Sequence, residues 1–245
     1  MNYTSPGSFS SFPPVIKNLI IINGLMFLLT FSLKGMGLDL NRILGLYIPE
    51  SPMFEPIQFI SYIFMHGGFE HILINMFMLW MLGNTLENIW GSKRFLMYYL
   101  ITGLGGGILH VLAKHIEFSS LSTQLSSEEL NMLYSEGARI LGEGKNWSSH
   151  ILANANLALN TPTVGASGAV FGILLAFGMM FPNQYIYVYF IIPIRTKYFV
   201  IIIGSMELIR GLTLTGGNVA NFAHLGGMVF GFVLIKYWKA KGNMM

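Results

Sequence analysis

Long apolar stretches with very few charged side chains between them are the feature that most constrains this chain. Asp, Glu, Lys and Arg together make up 10% of the 245 residues, whereas apolar and aromatic residues make up 53%. A typical soluble domain carries roughly 25% charged residues, so too few are present here to cover a water-exposed surface. The composition excludes a disordered chain, an ordinary soluble enzyme and, because cysteine is absent, a disulfide-rich scaffold. It indicates a protein that crosses a membrane several times.

Six segments have the length and apolarity of membrane crossings, for which a helix needs about 20 residues. They are residues 17–34, 70–88, 94–113, 167–182, 198–214 and 219–238. These segments predict an all-α polytopic membrane domain over 17–238, between a tail at 1–16 and a tail at 239–245. The aromatic, proline-containing stretch 183–197 is interpreted as an interfacial or partly re-entrant connection.

Residues 114–160 form a more polar segment between the third and fourth crossings. Ser126, followed three residues later by Glu129, has the spacing of a helix capping box, and leucines recur after it at helical intervals. We therefore predict an insertion outside the membrane with one or two amphipathic helices. Contact with a substrate and a structural role as a lid or spacer both remain open for it.

The distribution of charge predicts the orientation in the membrane. With the N-terminus inside, Lys and Arg are more frequent on the cytoplasmic side, and Glu87 is the only acid there. We therefore predict that both termini are cytoplasmic. The lack of organelle-targeting features favours a bacterial inner membrane. The net charge of +3 is too small and too scattered to indicate nucleic-acid binding.

Polar side chains group near the beginning of the second, fourth and sixth crossings, where each needs an explanation. His71 and Asn75 are four residues apart and share one helical face, Ser167 opens the fourth crossing, and His224 lies about one turn into the sixth. Because even-numbered crossings enter from the same side, these groups should lie at similar depth. A serine beside a histidine is a nucleophile–base arrangement. The His71 ring, the Asn75 amide and the backbone N–H groups after residue 166 are candidate oxyanion donors.

Small residues repeat at every fourth position on the two helices that carry Ser167 and His224, which lets helix backbones approach closely. They are Gly168, Gly172 and Ala176 in the fourth crossing, and Ala223, Gly227 and Gly231 in the sixth. This pattern predicts that the two helices pack together and bring the serine to the histidine.

A third catalytic member is not evident from the residue pattern. The single aspartate, Asp39, lies in the first outside loop, so a dyad of Ser167 and His224 is the simplest interpretation. Glu207 and Arg210, three apart in the fifth crossing, are interpreted as a structural pair, with a part in catalysis as the minor alternative. The other histidines, His110, His115 and His150, have no partner at a meaningful spacing.

At these positions the sequence resembles the rhomboid family of intramembrane serine proteases. The resemblance covers roughly residues 17–238 apart from the insertion and consists of separated motifs in the family's order. They are His66-x4-His71-x3-Asn75 with Gly83, Glu87, Gly91 and Arg94, the string Gly165-Ala166-Ser167-Gly168 with Phe171 and Gly172, and Ala223-His224 with Gly227 and Gly231.

The resemblance implies a bundle of six transmembrane helices with a water-filled cavity that opens to the outside. It implies that Ser167 is the nucleophile and His224 the general base, that His71, Asn75 and the Ser167 N–H stabilise the oxyanion, and that His66 and Gly165 shape the site. Transmembrane segments of other proteins would be the substrates, and neither a cofactor nor a metal would be needed.

The sequence departs from the family at three points. Phe171 stands where many members carry tyrosine, the first outside loop lacks a Trp-Arg pair common in bacterial members, and the insertion is longer than usual. Two alternatives remain: a catalytically silent relative that binds membrane clients, and a six-span transporter. The silent relatives usually lack the serine or the histidine, and a transporter requires polar groups through the full membrane depth.

Overall fold

The computed structural model describes residues 10–188, 191–213 and 221–242. Within these ranges the chain is mainly helical, with one two-stranded antiparallel hairpin. The helices are α1 (Pro14–Lys34), α2 (Leu40–Leu44), α3 (Gln58–Ser61), α4 (Phe69–Trp90), α5 (Ser92–Ser122), α6 (Ser127–Gly142), α7 (His150–Asn160), α8 (Ser167–Met180), α9 (Thr196–Thr213) and α10 (Asn221–Ala240). A 3-10 turn at Tyr62–Phe64 follows α3, and the strands are β1 (Tyr185–Val188) and β2 (Ile192–Arg195).

Helices α5, α8 and α10 form the most closely packed part of the fold. A Cβ atom at Gly227 of α10 would overlap the carbonyl oxygen of Gly168 in α8, so the two backbones are in direct contact. A Cβ atom at Gly106 of α5 would lie 3.2 Å from the Cα atom of Gly168. Small residues permit this approach in membrane proteins, where close packing replaces the hydrophobic effect as the driving force. Gly168 directly follows Ser167 in the chain, and Gly227 lies about one helical turn after His224.

The remaining glycines of the two small-residue faces contact α5 instead. A Cβ atom at Gly172 would lie 2.6 Å from the Cβ atom of Thr102, and one at Gly231 would overlap the hydroxyl group of Tyr98. The Tyr98 hydroxyl also donates a 2.8 Å hydrogen bond to the Gly172 carbonyl oxygen. Some small residues of α8 and α10 therefore contact the other of these two helices, and the rest contact α5.

A buried carboxylate on α4 holds the beginning of α1. The backbone N–H groups of Val15 and Ile16 each donate a 2.9 Å hydrogen bond to Glu87, and the Ser92 hydroxyl donates a third of 2.7 Å. The first N–H groups of a helix have no partner within the helix, and Pro13 cannot supply a side-chain cap. Glu87 thus caps α1 from a neighbouring helix and also suits its positive dipole end.

The insertion differs from the prediction in where it begins. Helix α5, predicted at 94–113, continues to Ser122, so the first part of the predicted insertion is an extension of the helix that corresponds to the third predicted crossing. The predicted capping box is confirmed, because the Ser126 side chain and the Glu129 side chain each accept a hydrogen bond from the other residue's backbone N–H. Hydrogen bonds from Lys145 and Arg139 lower the pKa of Glu143 at the end of α6.

An antiparallel hairpin occupies most of the stretch 183–197, where an interfacial or re-entrant connection is predicted. Tyr185 pairs with Arg195, and Val188 pairs with Ile192. The alternation of aromatic and β-branched residues in β1 favours an extended strand. The prediction of an all-α fold is therefore wrong for this segment.

Two helices, α1 and α5, are long and apolar enough to cross a membrane, counting only the described part of the chain. Helix α8 is apolar but has 14 residues, about 21 Å of helix, which is short of a hydrocarbon core of about 30 Å. Large apolar side chains project outward from the helices, including Phe31, 76% exposed, and Leu212, 69% exposed. The count of six crossings therefore stays a prediction.

Several predicted boundaries lie outside the described residues. They are positions 1–9 and 243–245 of the two tails, residue 214 of the fifth crossing, and residues 219 and 220 of the sixth.

Candidate active site

Ser167 is the first residue of α8, and the loop before it is hydrogen-bonded to the segment between α2 and α4. Thr163 and Leu46 exchange backbone hydrogen bonds of 2.8 Å, and the Gly165 N–H donates to the Tyr62 carbonyl oxygen at 2.9 Å. Gly165 has φ +131°, a conformation that residues with a side chain rarely adopt. These contacts set the direction in which the chain enters α8 and therefore where the serine points.

The Ser167 hydroxyl and the His224 ring are in hydrogen-bond contact. Ser167 Oγ lies 2.9 Å from His224 Nε2, although 57 residues separate them in sequence. The Phe171 ring stacks on the histidine, with ring centroids 4.0 Å apart and planes 6° from parallel. The aromatic ring fixes the plane of the imidazole, so the absence of a tyrosine hydroxyl at this position leaves the stacking intact.

Glu207 of α9 contacts the other ring nitrogen of the same histidine. Its Oε2 atom lies 2.9 Å from His224 Nδ1, and both side chains are largely buried. The interpretation of Glu207 as an ion-pair partner of Arg210 is therefore wrong within the described residues, where its partner is His224. Asp39 lies elsewhere, capping α2 through the Asn41 N–H.

His71, Asn75 and His66 lie on the α4 side of Ser167. The His71 ring packs on the backbone of Gly165, where a Cβ atom would lie 2.7 Å from two of its ring atoms. The Asn75 side chain donates a 2.9 Å hydrogen bond to the His71 carbonyl oxygen and also lines the cavity. His66 is buried edge-on against His71 at 5.1 Å, and among the described residues neither of its ring nitrogens has a hydrogen-bond partner.

A cavity of about 590 Å³ connects these groups. Ser167, His224, His71 and Asn75 supply polar atoms to its surface, and most of the remaining lining is apolar. The apolar lining includes Ile74 and Met78 of α4, Val170 and Leu174 of α8, and Phe199 and Ile203 of α9. The cavity thus has room for several residues of an extended chain beside the serine.

The insertion and the second half of α5 also border this cavity. His110 and Lys114 of α5 line it, together with Leu157 of α7. His110 has a partner that sequence spacing does not indicate, since its Nε2 atom contacts the Thr163 hydroxyl in the loop before Ser167. His115 likewise pairs with Glu50, whereas His150 begins α7 on the surface.

The described residues contain no group of three or more His, Asp or Glu side chains placed to hold a metal ion. The polar groups are arranged instead around one hydroxyl group. Ser167 Oγ contacts a nitrogen that can accept its proton, and the N-terminal N–H groups of α8 face the same region. The arrangement can activate a serine for attack on a carbonyl carbon.

The sequence model described as Rhomboid domain matches residues 54–240, well over half of the chain. The chain belongs to the rhomboid family. The family comprises integral membrane proteins that act on transmembrane substrates within the lipid bilayer, and it includes serine proteases.

Individual relatives come from fungi, plants and bacteria. The chain is 27% identical over 176 residues to the mitochondrial Rhomboid protein 1 of Saccharomyces cerevisiae, which covers 71% of this chain and 40% of that protein. It is 31% identical over 183 residues to RHOMBOID-like protein 4 of Arabidopsis thaliana, covering 74% and 33%. It is 24% identical over 233 residues to the Rhomboid protease GluP of Bacillus subtilis, covering 94% and 36%. The match spans less than half the length of each of these relatives.

Proposed function

We propose that the protein is an intramembrane serine endopeptidase that cleaves transmembrane segments of other proteins, with Ser167 as nucleophile and His224 as general base. The 2.9 Å contact between Ser167 Oγ and His224 Nε2 at the cavity surface is the observation that carries the proposal. Membership of the rhomboid family supports it, as does the resemblance to a relative named as a protease.

The contact between Ser167 Oγ and His224 Nε2 determines how protons move during the reaction. His224 Nε2 takes the serine proton as Oγ attacks the carbonyl carbon of the scissile peptide bond. When the tetrahedral intermediate collapses, the C–N bond breaks and His224 returns the proton to the leaving amine, which leaves an acyl group on Ser167. A water molecule, deprotonated by the same nitrogen, then hydrolyses the acyl-enzyme and restores the serine.

Donors for the developing oxyanion are available on one side of Ser167. The His71 ring and the Asn75 amide line the cavity, and the backbone N–H of Ser167 lies at the positive end of α8. One N–H of the Asn75 side chain donates to the His71 carbonyl oxygen, and the second N–H of this amide can donate to the oxyanion. Loss of a single such donor typically lowers the rate by about 100- to 1,000-fold.

The substrate must be locally unwound, because the backbone carbonyls of an intact helix are hydrogen-bonded and shielded by side chains. We propose a preference for segments with Gly, Ser or Pro near the outer face and a small residue at the cleaved bond. The close packing beside Ser167 supports this preference, since the His71 ring lies directly against the backbone of Gly165.

We also propose the predicted topology, with cytoplasmic termini and a site that opens to the outside, and a bacterial inner membrane as the location. The relatives include mitochondrial, plant and bacterial proteins, so the proposal of location rests on the sequence features alone.

Cleavage of a transmembrane reporter by the purified protein tests the function. We expect wild type to cleave a reporter with a Gly-containing segment faster than a uniformly Leu-rich one, and Ser167→Ala and His224→Ala to cleave neither. Ser205→Ala serves as matched control, because Ser205 is an exposed serine of α9 outside the cavity lining, and it should retain activity. Undiminished cleavage by Ser167→Ala would overturn the proposal, and binding without cleavage in wild type would favour the silent client-binding alternative.

A further inference from the structure

Glu207 is a buried acid in a mainly apolar helix, which calls for a specific partner. The buried residues of α9 are Thr196, Val200 and Glu207, which are spaced so that they face its neighbours α8 and α10. Val200 packs on Gly178 of α8. An apolar side chain would fill the place of Glu207 at less cost in desolvation, so the acid requires an explanation beyond packing.

Close contacts on both sides of Glu207 set the register of α9 on α10. A Cβ atom at Gly204 would lie 3.1 Å from Met228 Cε, and one at Gly211 would lie 3.1 Å from the Phe222 ring. The contact between Glu207 and His224 lies between these two. The packing of the two antiparallel helices therefore delivers the carboxylate to the histidine.

The hydrogen bonds around His224 determine which ring nitrogen carries the proton. A carboxylate can only accept, so Nδ1 must carry a hydrogen to bond Glu207 Oε2 at 2.9 Å. Nε2 is then without hydrogen in the neutral ring and can accept from the Ser167 hydroxyl at 2.9 Å. Phe171 fixes the plane of the ring, and Glu207 and Ser167 fix its rotation within that plane.

We propose that Glu207 is a positioning residue that holds His224 in the tautomer and orientation required to deprotonate Ser167, so that the site works as a Ser167–His224–Glu207 triad. This inference rests on the proposed function. When His224 accepts the serine proton it becomes a cation, and the buried carboxylate beside Nδ1 stabilises that charge. Among the described residues, His71 and His110 also interact electrostatically with His224, and neither supplies a negative charge.

The alternative is that Glu207 only fastens α9 to α10. Glu207→Gln distinguishes a role in positioning His224 from a purely structural role. Glutamine has nearly the same shape as glutamate and keeps hydrogen-bonding capacity, but it lacks the charge. In a serine protease of known mechanism, the corresponding Asp→Asn change lowers kcat about 10,000-fold. Here we expect kcat to fall about 100-fold or more, with KM for the reporter and the melting temperature close to wild type. Glu207→Asp keeps the charge on a shorter side chain, so its kcat should lie between those of wild type and Glu207→Gln.

Arg210→Gln is the matched control, since it removes a different charge of α9, about one turn from Glu207. We expect its kcat to match wild type, with all rates expressed per active site titrated by a fluorophosphonate. Wild-type kcat in Glu207→Gln would overturn the inference and leave the proposed function intact. An equal loss of kcat in Arg210→Gln, or a lower melting temperature of Glu207→Gln with unchanged kcat per site, would also overturn it. Activity in Ser167→Ala would instead defeat the proposed function itself.

Discussion

At the scale of single residues, the site depends on side chains whose orientation is set by neighbours that take no part in the reaction. Gly165 is one such neighbour, because it combines φ +131° with direct contact between its backbone and the His71 ring. A methyl group at this position would both strain the backbone and occupy the space of the ring.

We therefore expect Gly165→Ala to displace His71 and lower kcat/KM by about 10- to 1,000-fold, comparable to losing an oxyanion donor. It should also destabilise the fold by about 1–3 kcal/mol through backbone strain. Reporter cleavage and thermal unfolding in detergent measure the two effects. Gly68→Ala is the control, because Gly68 has extended backbone and an added Cβ atom there would have no neighbour within 4 Å among the described residues. Full activity in Gly165→Ala would show that His71 does not need this contact.

The residues that the sequence indicates as nucleophile and base do meet in the structure, whereas the sequence indicates the wrong partner for the acid. Ser167 and His224 lie in local motifs, and the small residues beside them indicate which helices come together. Glu207 has a nearby opposite charge in sequence, Arg210, and its real partner depends on how α9 is aligned along α10. That alignment arises from tertiary contacts at Gly204 and Gly211, which no local pattern reports.

At the scale of helices, the direct contact of α8 with α10 is what joins the serine to the histidine. A Cβ atom at Gly227 would overlap the Gly168 carbonyl oxygen, so any side chain there must push the two helices apart. Overpacking of this kind typically costs about 1–3 kcal/mol, and sometimes more.

Gly227→Ala is therefore expected to lower the melting temperature and to lengthen the contact between Ser167 and His224, with loss of reporter cleavage. Gly24→Ala is the matched control in α1, since no other described group lies within 4 Å of its Cβ position. The control should be neutral or slightly stabilising, because alanine is the better helix former by about 1 kcal/mol. Equal stability and activity of the two variants would contradict the packing derived for α8 and α10.

Other helix-scale features are less accessible from sequence. Residues 183–197 combine aromatic, β-branched and proline residues, a pattern compatible with an interfacial segment as well as with the observed hairpin. Hydropathy alone makes α5 too short, because polarity rises after residue 113 although the helix itself continues to Ser122. Membrane depth sets where hydropathy changes, whereas backbone hydrogen bonding sets where a helix ends, and the two need not coincide.

At the scale of the whole molecule, the polar site lies beside a mainly apolar cavity in a fold whose outer helices expose apolar side chains. The insertion belongs to this architecture, because Leu157 of α7 lines the cavity and Arg42 donates to the Ala138 carbonyl oxygen of α6. It therefore borders the space in which a substrate would bind. The sequence pattern predicts the helices of the insertion but not the contact between Arg42 and Ala138 that holds them beside the cavity.

The proposed function requires that Ser167 be the activated nucleophile of the membrane-embedded protein. The most direct measurement is mass-spectrometric mapping of the residue modified by a fluorophosphonate in protein reconstituted into lipid vesicles. We predict modification at Ser167, with labelling abolished in Ser167→Ala and strongly slowed in His224→Ala. Modification at another residue, or labelling of Ser167→Ala as fast as wild type, would contradict it.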